Sequence, residues 1–155
     1  MDKPTDLIEF ESMLLLRHVH MRVQRNNAGN LERSAYILLS RLRVQGPMSI
    51  GELSEAFDLD YSTLNRQTAA LLRDGLAERI PDPVGGIARK FRLTEQGAER
   101  LELARAEIVS GLDQVLGSWS PEDLETFAGY LKRFNVDIER LSGRPWPRPE
   151  TGSGD

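Results

Sequence analysis

The stretch that decides the fold runs Ser49-Ile50-Gly51-Glu52-Leu53-Ser54-Glu55-Ala56-Phe57-Asp58-Leu59-Asp60-Tyr61-Ser62-Thr63-Leu64. Ser49 followed three residues later by Glu52 is a capping box. The Ser49 hydroxyl accepts from the Glu52 amide, and the Glu52 carboxylate reaches back to the Ser49 amide. Ile50, Leu53 and Phe57 then face inward from a short helix. Asp58-Leu59 interrupts it, and Asp60 stands where the cap of a second helix belongs, over residues 61–74. Leu64, Thr68, Leu71 and Leu72 share one face of that helix, and Gly75 supplies the left-handed position that ends it. Two short helices meeting at a tight turn form a helix-turn-helix, whose second helix lies in a DNA major groove.

Outward from this pair, two strands are expected at 77–80 and 89–93. Between them Gly85-Gly86 offers the positive φ that a tight hairpin requires. In the second strand Phe91 and Leu93 alternate with Lys90 and Arg92, giving one apolar and one basic face. Upstream, helical spacing of Leu7, Phe10, Leu14, Leu15 and Val19 predicts a helix over 7–25. A turn at 26–30 and a helix over 31–44 capped by Asn30 follow. Downstream, Thr94 caps a long helix to about Gly117, and Ser120-Pro121-Glu122-Asp123 opens the last one. Gly143 and the prolines at 145, 147 and 149 end regular structure, so 142–155 reads as a disordered tail, and Trp146 as a tail residue.

With Leu64, Thr68 and Leu71 inward, 100° per residue turns Ser62, Arg66, Ala69 and Arg73 outward and leaves Thr63, Asn65 and Gln67 on the flanks. Arg reads guanine, and Asn or Gln reads adenine. An ordinary solvated face has the same polarity, but the distribution of charge favours DNA. The whole 155-residue chain carries −4. Residues 60–92 hold six basic and four acidic side chains, net +2, whereas 95–141 hold five basic and ten acidic, net −5. A basic edge opposite an acidic end fits a DNA-facing module. Ser49, Arg73, Arg89 and Lys90 are the expected phosphate contacts.

Other chemistry finds little support. The chain has no cysteine, which excludes disulfides, thiolate metal sites and thiol nucleophiles. The two histidines, His18 and His20, stand two apart on a helix and point in different directions, so no metal or other cofactor is expected. Nothing supplies a nucleophile, base and orienter, so no enzyme is expected. No apolar run approaches a membrane span, and the charged N-terminus with Pro4 is unlike a signal peptide, which points to the cytoplasm.

The run 49–56, Leu59-Asp60-Tyr61-Ser62-Thr63-Leu64, and Leu71-Leu72-Arg73-Asp74-Gly75-Leu76-Ala77-Glu78-Arg79, with Leu93-Thr94-Glu95-Gln96-Gly97 after the hairpin, resembles the MarR family of bacterial transcription regulators. The resemblance in helix order covers about residues 5 to 141. It implies a mainly α fold with a small β-hairpin wing, one protomer spanning 1–155. A winged helix-turn-helix occupies 31–94, and interlocking dimerisation helices lie in 5–28 and 95–141. It further implies a homodimer on a pseudo-palindromic operator, acting as a repressor released by a small, often aromatic, ligand. The pocket is expected where the first, second and fifth helices meet, with His20, Met21, Tyr36 and Leu39 as lining. Two departures stand out. The wing tip reads Val84-Gly85-Gly86-Ile87-Ala88 in place of the family's acid and arginines, and Asp58 replaces the usual turn glycine. Because fold alone does not fix function, a winged-helix module that binds protein in place of DNA remains the alternative.

Overall fold

The computed structural model describes residues 3–25 and 31–149; for 19–25 it describes the backbone alone. The elements follow as α1 (Pro4–Arg25), α2 (Arg33–Gln45), α3 (Ile50–Phe57), α4 (Tyr61–Arg73), β1 (Ala77–Ile80), β2 (Lys90–Leu93), α5 (Glu95–Val115) and α6 (Pro121–Ser142). The expected turn at 26–30, with Asn30 as cap, lies outside the described residues. The cap position of α2 is taken by Glu32, which makes no side-chain capping bond.

Local chemistry sets the boundaries of the central unit. Both halves of the capping box form: Glu52 N–H donates to Ser49 Oγ at 3.1 Å, and Ser49 N–H donates to Glu52 Oε1 at 3.2 Å. Asp58 ends α3 in the left-handed region at φ 53, ψ 47, which the short Asp side chain tolerates better than most. Asp60 stands at the start of α4 but offers no side-chain cap bond. Gly75, at φ 73, closes α4 in a Schellman turn. Its N–H donates to Leu72 O, and the N–H of Leu76 donates to Leu71 O, so two orphan carbonyls are satisfied.

The core is built almost wholly between residues 38 and 91. Leu38, Leu39 and Leu42 of α2, Met48, Leu53, Leu64, Leu71, Leu76, Ala77 and Phe91 are buried together, and α5 adds Leu101. Strands β1 and β2 pair antiparallel with Arg79 opposite Phe91 and Glu78 opposite Arg92. Phe91 also exchanges both backbone hydrogen bonds with Met48, so β2 lies between β1 and the α2–α3 connection. The hairpin is not the tight turn expected at Gly85-Gly86. Residues 81–89 form a longer loop around a turn in which Gly85 N–H donates to Asp82 O and Val84 N–H donates to Asp82 Oδ1. Of the two glycines only Gly85 takes positive φ, so the Asx-type turn at Asp82-Pro83 organises the wing.

Among the described residues, helices α1 and α6 contribute no side chain to this core. Leu7, Phe10, Leu15 and Leu16 of α1, and Phe127, Tyr130, Leu131 and Phe134 of α6, stay at least 43% exposed. Trp119 packs edge-on against Phe127 at 5.4 Å. The expected disorder from 142 needs correction over the described part of the tail. Residues 144–149 have no regular structure, as their prolines dictate, yet Trp146 stacks edge-on against Phe57 at 5.4 Å and under the Arg41 guanidinium at 4.7 Å. Arg148 and the Trp146 N–H both donate to Glu139.

Two outcomes follow from this packing. A Cβ at Gly97 would lie 1.9 Å from the carbonyl oxygen of Leu76, which is backbone and cannot swing away. Gly97→Ala should therefore cost about 1–3 kcal/mol, read as a lowered urea midpoint with an unchanged m-value. The hydrogen bonds from Arg148 and from Trp146 N–H hold the Glu139 carboxyl at about 2, far below its usual 4.5. A depressed carboxyl stabilises the docked tail above its unfolded value, and that contribution fades as pH falls from about 4.5 through about 2. In a Trp119→Phe background, Trp146 fluorescence should shift to that of exposed indole over this window and stay constant from pH 5 to 8.

Candidate nucleic-acid interface

Helix α4 is anchored by Leu64, Thr68 and Leu71, all buried, so its opposite face is fixed toward solvent. The Thr68 hydroxyl donates to Leu64 O at 2.7 Å, which lets a polar side chain sit in the core with its donor satisfied. Ser62, Asn65, Arg66, Ala69 and Arg73 are exposed, while Thr63 and Gln67 are half-buried on the flanks, as the helical periodicity predicts. Among the described residues Arg66 and Arg89 make no ion pair. Arg73 meets only its neighbour Asp74, at 3.4 Å, in a solvated pair of little energetic weight.

Lys90 is placed differently from the expectation of a displayed phosphate contact. Its Nζ lies 3.0 Å from Glu52 Oε1 and 3.9 Å from Asp82 Oδ1, with the side chain only 17% exposed. Burial pushes the Glu52 carboxyl up, but the hydrogen bonds from Lys90 and Ser49 outweigh it and leave it below its ordinary value. The same hydrogen bond to Glu52 raises Lys90. Lys90 thus fastens the base of the wing to the first turn of α3. Arg92 of the same strand pairs with Glu78 across the hairpin.

A cleft of about 450 Å³ opens where α3, α4 and the wing meet, lined by Ser49, Ile50, Gly51, Tyr61, Arg79, Ala88, Arg89 and Phe91. Ser49, expected to touch phosphate, lines this cleft, with its side chain hydrogen-bonded to Glu52 in the capping box. Tyr61 and Arg79 were not singled out in the sequence. The Arg79 guanidinium lies 5.5 Å from the Phe91 ring. The register that puts Arg79 opposite Phe91 is the signal that would have found it. The two guanidinium groups of Arg79 and Arg89 along this cleft suit an anionic backbone. The wing tip beyond presents Val84 and Ile87, both almost wholly exposed.

Of the four residues expected to line an effector pocket, Leu39 is fully buried in the core and Tyr36 is half-buried against it. The side chains of His20 and Met21 lie outside the described residues. Among the described residues no three His, Cys, Asp or Glu side chains gather as metal ligands.

Comparison with known proteins agrees with this geometry. The model of the MarR family matches residues 31–84, from α2 to the wing. The chain is 38% identical over 133 residues to the uncharacterized HTH-type transcriptional regulator YxaD of Bacillus subtilis, covering 85% of this chain and 93% of that protein. It is 27% identical over 111 residues to the regulator YybA of the same organism, covering 72% and 74%. Among solved structures, the crystal structure of MarR superposes with a TM-score of 0.75 at 21% identity, over 94% of this chain and 99% of that one. A MarR family protein from Bacillus stearothermophilus does so with a TM-score of 0.69 at 23% identity, over 89% and 99%. A capped helix-turn-helix with a wing, a relative this similar over nearly its full length and the matching family model lead to one conclusion: the chain belongs to the MarR family of helix-turn-helix, DNA-binding transcriptional regulators.

Proposed function

We propose that the protein is a homodimeric repressor that reads a pseudo-palindromic operator and is released by a small, often aromatic, ligand. The observation that carries the DNA-reading part is the α4 face. Ser62, Asn65 and Arg66 are exposed, Thr63 and Gln67 flank them, and among the described residues Arg66 has no acidic partner to compete with a base. Arg73, Arg89 and Ser49 surround this face as phosphate contacts, with Arg79 added from the cleft. Lys90 acts behind them by holding the wing in place.

The dimer rests on the uncovered faces of α1 and α6. Contiguous exposed apolar surface of this kind marks an interface. In this reading 31–94 is the DNA-binding unit, and 5–28 with 95–141 form the dimerisation region. Release by a ligand rests on membership of the family alone. His20, Met21 and Tyr36 are its candidate contacts, and Leu39 supports them from the core. Among the described residues no helix is long and apolar enough to cross a membrane; the proposed DNA partner is what supports a cytoplasmic location.

Arg66→Ala should relax preference at one base position per half-site, at roughly 1–3 kcal/mol for a lost bidentate contact. Lys90→Met should leave base preference intact and weaken all sequences, because it loosens the wing. Competition binding over a set of single-base operator variants separates the two, and a swapped pattern would reverse their roles.

The wild-type protein should run as a dimer by light scattering at micromolar concentration. A two-fold dimer enters successive major grooves only if half-sites lie about 10 base pairs apart, centre to centre. Inserting five base pairs, about half a turn, should abolish tight binding. With about six to ten phosphate contacts per dimer, affinity should fall roughly 10³–10⁵-fold between 50 and 200 mM salt. A monomer, or a flat salt response, would contradict the symmetric docking, and a protein that retains no duplex would favour the protein-binding module.

A further inference from the structure

Residues 144–148 lie far from α3 in sequence, yet they meet it at the turn that leads into α4. Gly143, at φ 68, ends α6 in the left-handed region, and the N–H groups of Gly143 and Arg144 both donate to Glu139 O. The chain therefore folds back along α2 and α3. Arg144 then grips the helix-turn-helix at two points. Its Nε donates to Glu55 O at 3.1 Å, and its Nη2 donates to Asp58 Oδ1 at 3.1 Å. Glu55 belongs to the last turn of α3, whose carbonyls have no partner within the helix. Asp58 is the left-handed residue that sets the angle between α3 and α4.

Trp146 completes the contact. Its ring lies between Phe57 of α3 and the Arg41 guanidinium of α2, and Arg41 is only 8% exposed. Pro145 and Pro147 carry no N–H, so Trp146 supplies the one backbone donor of that tripeptide, and Glu139 of α6 accepts it at 2.7 Å. The same carboxylate takes two hydrogen bonds from Arg148, at 2.9 and 2.6 Å. The prolines also restrict the free segment, which lowers the entropy lost when it docks. Each end of the contact is thus specified: α6 through Glu139, the helix-turn-helix through Phe57, Glu55 and Asp58.

We propose that Arg144 and Trp146 are positioning residues for DNA recognition, forming a latch that fixes the recognition helix relative to α6. The inference rests on the reading of α4 as the DNA-reading helix. If α6 belongs to the dimer interface, the latch fixes each recognition helix relative to the two-fold axis. It then sets how sharply the dimer discriminates between half-site spacings. An undocked latch leaves α4 intact, with its base contacts unchanged, but widens the range of spacings the pair tolerates.

The test uses the full-length chain and a duplex that the wild type selects from a random pool of about 30 base pairs, long enough for two half-sites. That duplex is remade with single base pairs inserted or removed between the half-sites, and binding is read by fluorescence anisotropy. Wild type should prefer its own spacing by about tenfold or more over neighbouring ones. Trp146→Ala and Arg144→Ala should flatten this preference to about twofold. Trp146→Phe, which keeps an aromatic ring against Phe57 and Arg41, should restore it. The Arg144 side chain is 41% exposed and lies outside the core, so Arg144→Ala remains informative even where Trp146→Ala fails to fold. Variants that match wild type, or that lose affinity equally at every spacing, overturn the latch while the DNA-binding reading stands. A wild-type chain that selects no duplex overturns that reading, and the latch with it.

Discussion

The carbonyl of Leu76 is the point on which the winged unit closes. It accepts the Thr94 N–H at 3.2 Å, and the first turn of α5 approaches it so closely that only a glycine fits at position 97. Thr94 adds a hydroxyl that donates to Gly75 O at 2.7 Å and accepts from Gly97 N–H at 2.9 Å. One residue thereby joins the end of α4, the base of the hairpin and the start of α5. The Schellman turn at Gly75, the strand pair and the cap of α5 share the same few atoms. None of the three can shift without breaking a buried or half-buried hydrogen bond in the others, and an unmade bond of that kind costs about 1–3 kcal/mol. Helix α5 therefore moves with the winged unit as one body.

Charge is divided on the same frame. Glu52 does two jobs with one carboxylate: it caps α3 through Ser49 and holds Lys90 at the wing. Glu78 neutralises Arg92 across the hairpin. These pairs take the basic residues nearest the sheet out of play and leave Arg66 and Arg89 available toward the outside. Net charge over 60–92 therefore points to one edge of the unit but not to individual side chains. A count of charges cannot distinguish a lysine folded onto its neighbours from an arginine held out in water.

The parts legible in the sequence are those whose cause is local. The capping box at Ser49 and Glu52, the left-handed Asp58, the glycine stop at Gly75, and the caps at Thr94 and Ser120 each depend on a few consecutive residues. The outward face of α4 follows from periodicity alone. Where partners are distant, the reading fell short. Trp146 looked like a tail residue because Phe57 and Arg41 lie about a hundred positions upstream. Lys90 looked displayed because strand alternation knows nothing of Glu52 on α3. The wing turn was assigned to Gly85-Gly86, whereas the Asp82 carboxylate and carbonyl organise it, a case of side-chain chemistry prevailing over glycine's permissiveness. Tyr61 and Arg79 became visible only once the cleft between α3, α4 and the wing was formed.

What remains is the relation between the winged unit and the two long helices, whose described side chains stay outside its core. The core of described residues is nearly complete without α1 and α6, so the folded winged unit does not itself dictate where α6 lies. Two connections constrain α6 at its ends. At its start, Trp119 against Phe127 fixes the corner with α5; at its finish, Glu139, Trp146 and Arg144 fasten it to the α3–α4 turn. Pinned at both ends, α6 becomes a strut parallel in function to α5, and its apolar face of Phe127, Leu131, Phe134 and Ile138 stays exposed. A helix tethered only at the α5 corner would pivot, and the recognition helices of a dimer built on it would inherit that freedom. The second tether removes it, which gives a physical reason for a segment without regular structure to be bonded so specifically to the turn between α3 and α4.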